Sequence, residues 1–456
     1  MFNILNIFKK KNKVVTRFPP SPTGSFHIGN ARTALFNYFY TKKVGGTLKF
    51  RLEDTDKERS KQEYADDIVS GLKWLGVDID YSNPYKQSEH GDTYKKYIEL
   101  MLKNNTAYIS KEEVKEEGQR AEVIRLRNPG RKVKYIDMMR GELEVDTTEL
   151  GDFIIAKSIT EPIYHLAVVV DDFEMGVTHI IRGEDGIYNT PRQILIQEAI
   201  GAHRPIYAHM PFILNEDRSK LSKRQQGELV SLSYYRKQGY LPEAMVNFLA
   251  LCGWNPGTEQ EILSMDELIE KFDIMKVQKS GAIFNPQKLL WFNKEYIKKL
   301  PVDRLKKEIG DRLKVKYAFT DELLNKVTPI IAERINTFGE LEKYVVEGEF
   351  EYFFLAPEPN REMLIWKKDT DFEIPKKNLK IISEILEKLS EADFKTDESL
   401  KVILMPKADE LGKGSVLWPL RVSLSGKEKS PDPFTLLSIL GKEESLKRIQ
   451  TAIKVL

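Results

Sequence analysis

Sulfur chemistry is nearly absent from this chain: 456 residues contain one cysteine, Cys252. A lone thiol closes no internal disulfide and cannot build a multi-cysteine zinc site, which fits a reducing compartment. It lies in an apolar run at residues 248–254, where a small buried hydrophobe is the ordinary expectation. Long hydrophobic runs are also missing, since nothing approaches the ~20 apolar residues that cross a bilayer. The start, MFNILNIFKKKNK, places its apolar residues before its lysines, the reverse of a secretory signal, and reads as an N-terminal extension over residues 1–13. Excess charge of either sign is lacking: 71 Lys and Arg face 69 Asp and Glu, a net of +2. Any attraction to nucleic acid must therefore come from local patches. Repeats and low-complexity segments are absent too.

What is present suits a folded, soluble chain, 41% hydrophobic and 31% charged. The length calls for several cores, roughly three to five domains of about 100–150 residues. The first third alternates strand and helix. A β-branched strand is expected at residues 14–18, broken by Pro19, Pro20, Pro22 and Gly24. A helix then begins near His27 with Ile28, Ala31, Leu35, Tyr38 and Phe39 on one face. A second strand at 47–52 ends in Glu53, Asp54 and Asp56, and another helix carries Ala65, Ile68 and Leu72 inward. This alternation predicts an α/β, doubly wound parallel sheet. Residues 94–163 read as an insertion with short strands near 123–126 and 153–155. The sheet is expected to resume with a buried strand at 166–170, another at 178–181 and a helix over 190–200. Beyond Gly227 the pattern is mostly helical.

The sharpest motif is RFPPSPTGSFHIGN, residues 17–30. A strand ends, prolines fix a tight loop, and a helix starts with His27 and Gly29 in its first turn. Free backbone N–H groups and a partial positive charge make such a start a cradle for phosphate, and Gly29 leaves room for a nucleotide ring against the backbone. His-x-Gly alone would be no more than a proline-rich turn with a capping histidine. KLSKR, residues 220–224, offers a lysine-bearing loop able to neutralise phosphate charge, although that pattern alone is common on surfaces. Three more patches sit at expected strand ends: FRLEDTD (50–56), IYHLAVVVDD (163–172) and IIRGED (180–185). Ligands of open α/β sheets bind beyond the carboxyl ends of strands. For Arg182 the plain alternative is a surface ion pair with Glu184 or Asp185.

Residues 17–30 resemble the HIGH signature of class I aminoacyl-tRNA synthetases in the form found in glutamyl-tRNA synthetases of bacterial type, with Asn30 where the motif has histidine. Residues 220–224 resemble the KMSKS signature. Residues 176–192, 239–254 and 418–454 look like the same family, so the resemblance covers nearly the whole chain from about residue 14. It implies a Rossmann-like catalytic domain with an α+β insertion, followed by an all-α C-terminal half. The implied division is 14–93 for the first catalytic half and 94–163 for an insertion binding the tRNA acceptor end. The second catalytic half with the KMSKS-like loop would span 164–227, a helical stem-contact domain 228–300 and a helical anticodon-binding region 301–456. The implied activity is ATP-dependent formation of glutamyl adenylate and transfer of glutamate to tRNA(Glu), with tRNA(Gln) left open as a second acceptor. By resemblance, His27, Lys220 and Lys223 serve catalysis, and Thr23, Gly29 and Asp185 join them around ATP. Arg17, Ser21, Glu53, Tyr164 and Arg182 contact L-glutamate, with Glu53 holding the α-ammonium. ATP is expected with Mg2+. A cysteine-rich motif common among relatives is missing after Ala107 and Tyr108, so no structural zinc is expected. A cytoplasmic monomer with no membrane partner completes the expectation. The alternatives are a glutaminyl-tRNA synthetase, which usually ends in β-barrels, a truncated relative without the anticodon half, and a non-catalytic tRNA-binding paralogue, which usually loses an ATP motif. A distant nucleotidyltransferase would have no use for the helical tail.

Overall fold

The computed structural model describes residues 13–113, 121–221 and 227–456. The chain divides into two compact units, Met1–Tyr296 and Ile297–Leu456.

In the first unit, β1 (Val15–Phe18) leads into α1 (Ile28–Lys43), β2 (Thr47–Leu52), α2 (Gln62–Trp74) and β3 (Tyr85–Lys86). The three strands form a parallel sheet in the order β1-β2-β3. After α3 (Gly91–Lys103) come β4 (Ala107–Lys111), β5 (Glu122–Leu126), β6 (Lys132–Asp137), β7 (Gly141–Asp146), β8 (Phe153–Ser158) and β9 (Glu161–Pro162). Then α4 (Tyr164–Glu174), β10 (His179–Gly183), α5 (Thr190–Ile200) and β11 (Ile206–Met210) follow. A second sheet runs β10-β11-β6-β7, with β10, β11 and β6 parallel and β7 antiparallel to β6. A separate antiparallel sheet runs β4-β5-β8-β9. The stretch between α3 and α4 is thus shared: one hairpin, β6–β7, extends the sheet of β10 and β11, and the rest stands as its own small sheet.

The two parallel sheets touch at their starting ends. Thr178 N donates to Val15 O at 2.9 Å, and Val15 N donates to the Thr178 hydroxyl at 2.9 Å. Further along, the Ile181 carbonyl is bonded by Asn37 Nδ2 of α1, at 3.1 Å. An amide side chain from the covering helix thus holds a strand carbonyl near the fork. Parting strands at a reversal of strand order are where ligands of doubly wound sheets bind.

Helix α1 runs through the middle and is buried nearly all round, Phe36 included, where the apolar spacing had marked only one face. Its buried polar residues bond to neighbouring elements: Thr41 meets the Thr16 hydroxyl at 2.5 Å, and Arg32 donates to the carbonyls of Pro211 and Cys252. Cys252 is buried, and burial pushes its thiol up to about 12.

Residues 166–170, expected as a strand, are helical and lie in α4. Leu166, Ala167, Val169 and Val170 are buried in the core shared with α3 and α5, and Val168 is buried as well. A helix enclosed on every side has no polar face, so its sequence shows no 3.6 period, and three consecutive valines then mimic a strand. The second unit is helical, from Val302–Leu313 to Pro433–Val455, the last helix being broken at Gly441, whose φ of 75° suits glycine.

Candidate active site

The proline loop between β1 and α1 is braced from three sides. Glu53 N donates to Pro20 O, Lys61 N to Pro22 O, and the Asp67 carboxylate takes Phe26 N. The loop therefore delivers His27 as the N-cap of α1, its Nδ1 accepting from Gly29 N at 2.9 Å. A neutral His27 ring then carries its proton on Nε2, as a donor. The capping histidine and the ligand-facing histidine are the same residue.

One cavity of about 400 Å³ opens at the fork between β1 and β10. Its wall holds Arg17, Ser21, Thr23, His27, Gly29, Glu53, Tyr164, Arg182, Asp185 and Lys220. Every residue singled out from the sequence therefore meets there except Lys223, which lies outside the described residues. Lys220 Nζ sits 3.9 Å from the centre of the Phe212 ring. On the other side of residues 222–226, the chain is tied to the same helix start, Leu232 N donating to Phe26 O. A wider groove of about 820 Å³ runs along α2 beside Trp74 and Arg236. It contains none of the candidate catalytic, ATP-binding or glutamate-binding residues, so the chemistry belongs to the smaller cavity.

Charge in the cavity floor is organised around Arg51, which is fully buried on β2. It donates to Glu53 at 2.9 Å and to Asp172 at 2.7 Å, and lies 3.8 Å from Asp171. Against the pull of burial, those carboxylates hold its guanidinium above the ordinary range. Asp172 also takes the Nε of Arg17 at 3.3 Å, while Arg17 Nη1 is buried without a partner. Burial would raise the Asp172 carboxyl, but Arg17 and Arg51 outweigh it and hold it low. Burial pushes Glu53 up, and Arg51 pulls it back only partly. Asp171 receives Tyr85, Gln87 and Tyr94.

Arg182 differs. Its Nε donates to His209 Nε2 at 3.1 Å, Nη1 to Gln193 Oε1 at 2.8 Å, and Nη2 to Gly186 O at 3.0 Å and the Thr190 hydroxyl at 2.7 Å. All four acceptors are neutral. The ion pair with Glu184 or Asp185 does not form: Glu184 pairs with Arg140 at 2.9 Å and accepts Phe212 N. Desolvation lowers the Arg182 guanidinium below its ordinary range. Gly186 is required by contact, since a Cβ there would lie 2.2 Å from Arg182 Nε. A cation on the cavity wall that touches no carboxylate is arranged to receive one. Among the described residues, no group of three or more His, Cys, Asp or Glu side chains is placed to hold a metal.

Arg51, Asp171 and Asp172 lie inside motifs noted from the sequence but were given no role there. The signal for Arg51 existed, because residues i and i+2 of a strand share a face and it stands two before Glu53. His209, Asp137 and Arg32 carried no local signal.

A parallel sheet parting over a histidine-led helix start, with a lysine across the cavity, has the form of a class I tRNA synthetase catalytic domain. The family model "tRNA synthetases class I (E and Q), catalytic domain" matches residues 13–122 and 109–291, and "Anticodon binding domain" matches residues 297–453. A glutamate–tRNA ligase of Carboxydothermus hydrogenoformans is 38% identical, with 96% of this chain and 99% of the relative covered. One from Aquifex aeolicus is also 38% identical, over 98% of this chain and 100% of the relative. A solved glutamate tRNA ligase from Elizabethkingia meningosepticum, in complex with its amino acid, superposes with a TM-score of 0.86 at 32% identity, covering 97% and 99% of the two chains. The chain belongs to the glutamate–tRNA ligase family.

Proposed function

We propose that this chain activates L-glutamate with ATP and transfers the glutamyl group to the 3′ end of tRNA(Glu). The observation that carries this proposal is the gathering of Arg17, with its unpartnered Nη1, and Arg182, bonded only to neutral groups, with Glu53, His27 and Lys220 around one cavity at the sheet's fork. In this scheme Glu53 holds the α-ammonium, and Arg17 and Arg182 take the carboxylates, with Ser21 and Tyr164 beside them. Thr23, Gly29 and Asp185 lie against ATP, which enters as its magnesium complex. His27 Nε2 and the lysines Lys220 and Lys223 neutralise phosphate charge. An oxygen of the glutamate α-carboxylate attacks the α-phosphorus, and the bond to the bridging oxygen breaks, releasing pyrophosphate. The terminal adenosine hydroxyl then attacks the carbonyl carbon of the mixed anhydride, expelling AMP. No protein nucleophile is needed; alignment and charge neutralisation carry both steps.

The amino acid choice follows from Arg182. Glutamate brings the anion its neutral shell omits, while glutamine would leave the cation without one, a difference that polar sites convert into discrimination on the order of 10⁴. Residues 94–163 are assigned to the acceptor end, 228–300 to the stem and 301–456 to the anticodon, within a cytoplasmic monomer. No helix among the described residues is long and apolar enough to cross a membrane. The test is charging of purified tRNA(Glu) and tRNA(Gln) with labelled glutamate and labelled glutamine. Glutamate should be transferred to tRNA(Glu). Transfer of glutamine overturns the pocket assignment, no transfer at all favours a non-catalytic paralogue, and the ratio between the two tRNAs settles the acceptor range.

A further inference from the structure

Behind Arg182 lies a second layer that ends in the β6–β7 hairpin. His209, on β11, is fully buried, and its Nε2 faces Arg182 Nε at 3.1 Å while its Nδ1 lies 2.7 Å from Asp137 Oδ2. Asp137, the last residue of β6, is buried as well. Its four accepting positions are filled: Oδ1 takes Met139 N and Arg140 N, each at 2.9 Å, and Oδ2 takes His209 N at 3.1 Å besides the ring nitrogen. An arginine Nε–H can only donate, so the neutral His209 ring accepts at Nε2 and carries its proton on Nδ1, which donates to Asp137 Oδ2 alongside the three backbone N–H groups. Nε2 is thereby fixed as an acceptor. Burial holds the His209 imidazole below its ordinary range, with Asp137 opposing that pull, so the ring stays neutral.

We propose that Asp137 and His209 are positioning residues for the substrate-selecting arginine, serving Arg182 as a counter-ion set one imidazole away. A carboxylate in direct contact would neutralise the guanidinium and compete with the substrate's own carboxylate. A carboxylate behind a neutral ring does neither. It steadies the desolvated charge through space and fixes one edge of the fork by a hydrogen bond. The rest of the shell follows: Nε and Nη2 are saturated by His209, Gly186 and Thr190, so the free N–H capacity is confined to Nη1. The relay thus sets the direction in which Arg182 accepts an anion. It reaches that arginine from a different element, since β11 pairs with β10 on one side and with β6 on the other.

The inference depends on Arg182 binding the substrate carboxylate, so Arg182→Gln is measured alongside. The assay is charging of tRNA(Glu) by the full chain, with glutamate and ATP varied separately. His209→Phe keeps a flat ring beside Tyr207 but has no acceptor; it should raise KM for glutamate about tenfold, the scale of one hydrogen bond to a charged group, with KM for ATP unmoved. His209→Gln, whose amide oxygen can stand in for Nε2, should recover most of that loss. Asp137→Asn, equal in volume, should raise KM for glutamate as well and decides the matter if His209→Phe does not fold. Unchanged glutamate KM in Asp137→Asn or His209→Phe overturns the relay, as does an equal rise for glutamate and ATP, or no recovery with glutamine. If Arg182→Gln leaves glutamate KM unaltered, the pocket assignment itself is lost; if it raises KM while the other variants do not, only the relay is.

Discussion

Arg51 touches solvent nowhere and has three carboxylates around it, so its removal is the harshest single change available near the cavity. Arg51→Met conserves much of the volume but removes the cation that Glu53, Asp171 and Asp172 share, leaving only Asp172 with another, Arg17. Breaking a buried pair by removing one partner typically costs about 3–5 kcal/mol. We expect a loss of that order in denaturant unfolding, together with a raised glutamate KM in whatever folds. Wild-type stability in this variant would mean that the carboxylates are not charged. Residue roles of this kind were only half visible beforehand. The motifs brought forward Arg17, Glu53 and Arg182 because each stands at an expected strand end. The groups that fix them come from distant segments, and pairing across 121 residues, as between Arg51 and Asp172, leaves no trace in local spacing.

At the scale of elements, β10 carries a second buried ionisable group at its other end. His179 is 7% exposed, and burial holds its imidazole at about 4. Its value in the unfolded chain is 6.5, so folding excludes a proton that the unfolded chain binds between those values. The neutral ring contributes its full stability above pH 6.5, and that contribution drains away as pH falls from 6.5 toward 4. Two and a half units correspond to on the order of 3 kcal/mol. Melting curves of wild type and His179→Gln across this window should show the wild type losing stability relative to the variant; parallel curves would rule the histidine out. The alternation of strand and helix through α2 is legible because prolines and acidic residues punctuate it and α2 keeps one wet face. α4 was misassigned for the opposite reason, and the merging of β6 into the parallel sheet depends on a partner, β11, some 70 residues away.

For the whole molecule, the C-terminal unit shows how charge can mislead. Its last segment is rich in lysine and arginine, which sequence alone offered as an RNA-facing surface or a wet helix face. Several of these cations serve the fold instead. Arg448 is buried and donates to the carbonyls of Tyr352 and Leu424, each at 2.7 Å. Lys427 Nζ reaches Gly348 O and the Glu349 carboxylate, and Lys442 Nζ reaches Glu387 O and Leu389 O. Arg448→Met leaves two buried carbonyls unbonded, at about 1–3 kcal/mol each. The variant should therefore melt several degrees lower with an unchanged glutamate KM. An unaltered melting temperature with weakened tRNA binding would make Arg448 an RNA contact after all.

The fork in the sheet has one more implication. Strands that begin side by side would ordinarily keep zipping together, yet here a single amide, that of Asn37, occupies Ile181's carbonyl partway along. A strand that lines the cavity is accordingly held by a side chain that is not part of the cavity wall. Engineering aimed only at residues lining the chamber would overlook this contact, whereas shortening Asn37 would release the strand's carbonyl from behind the wall.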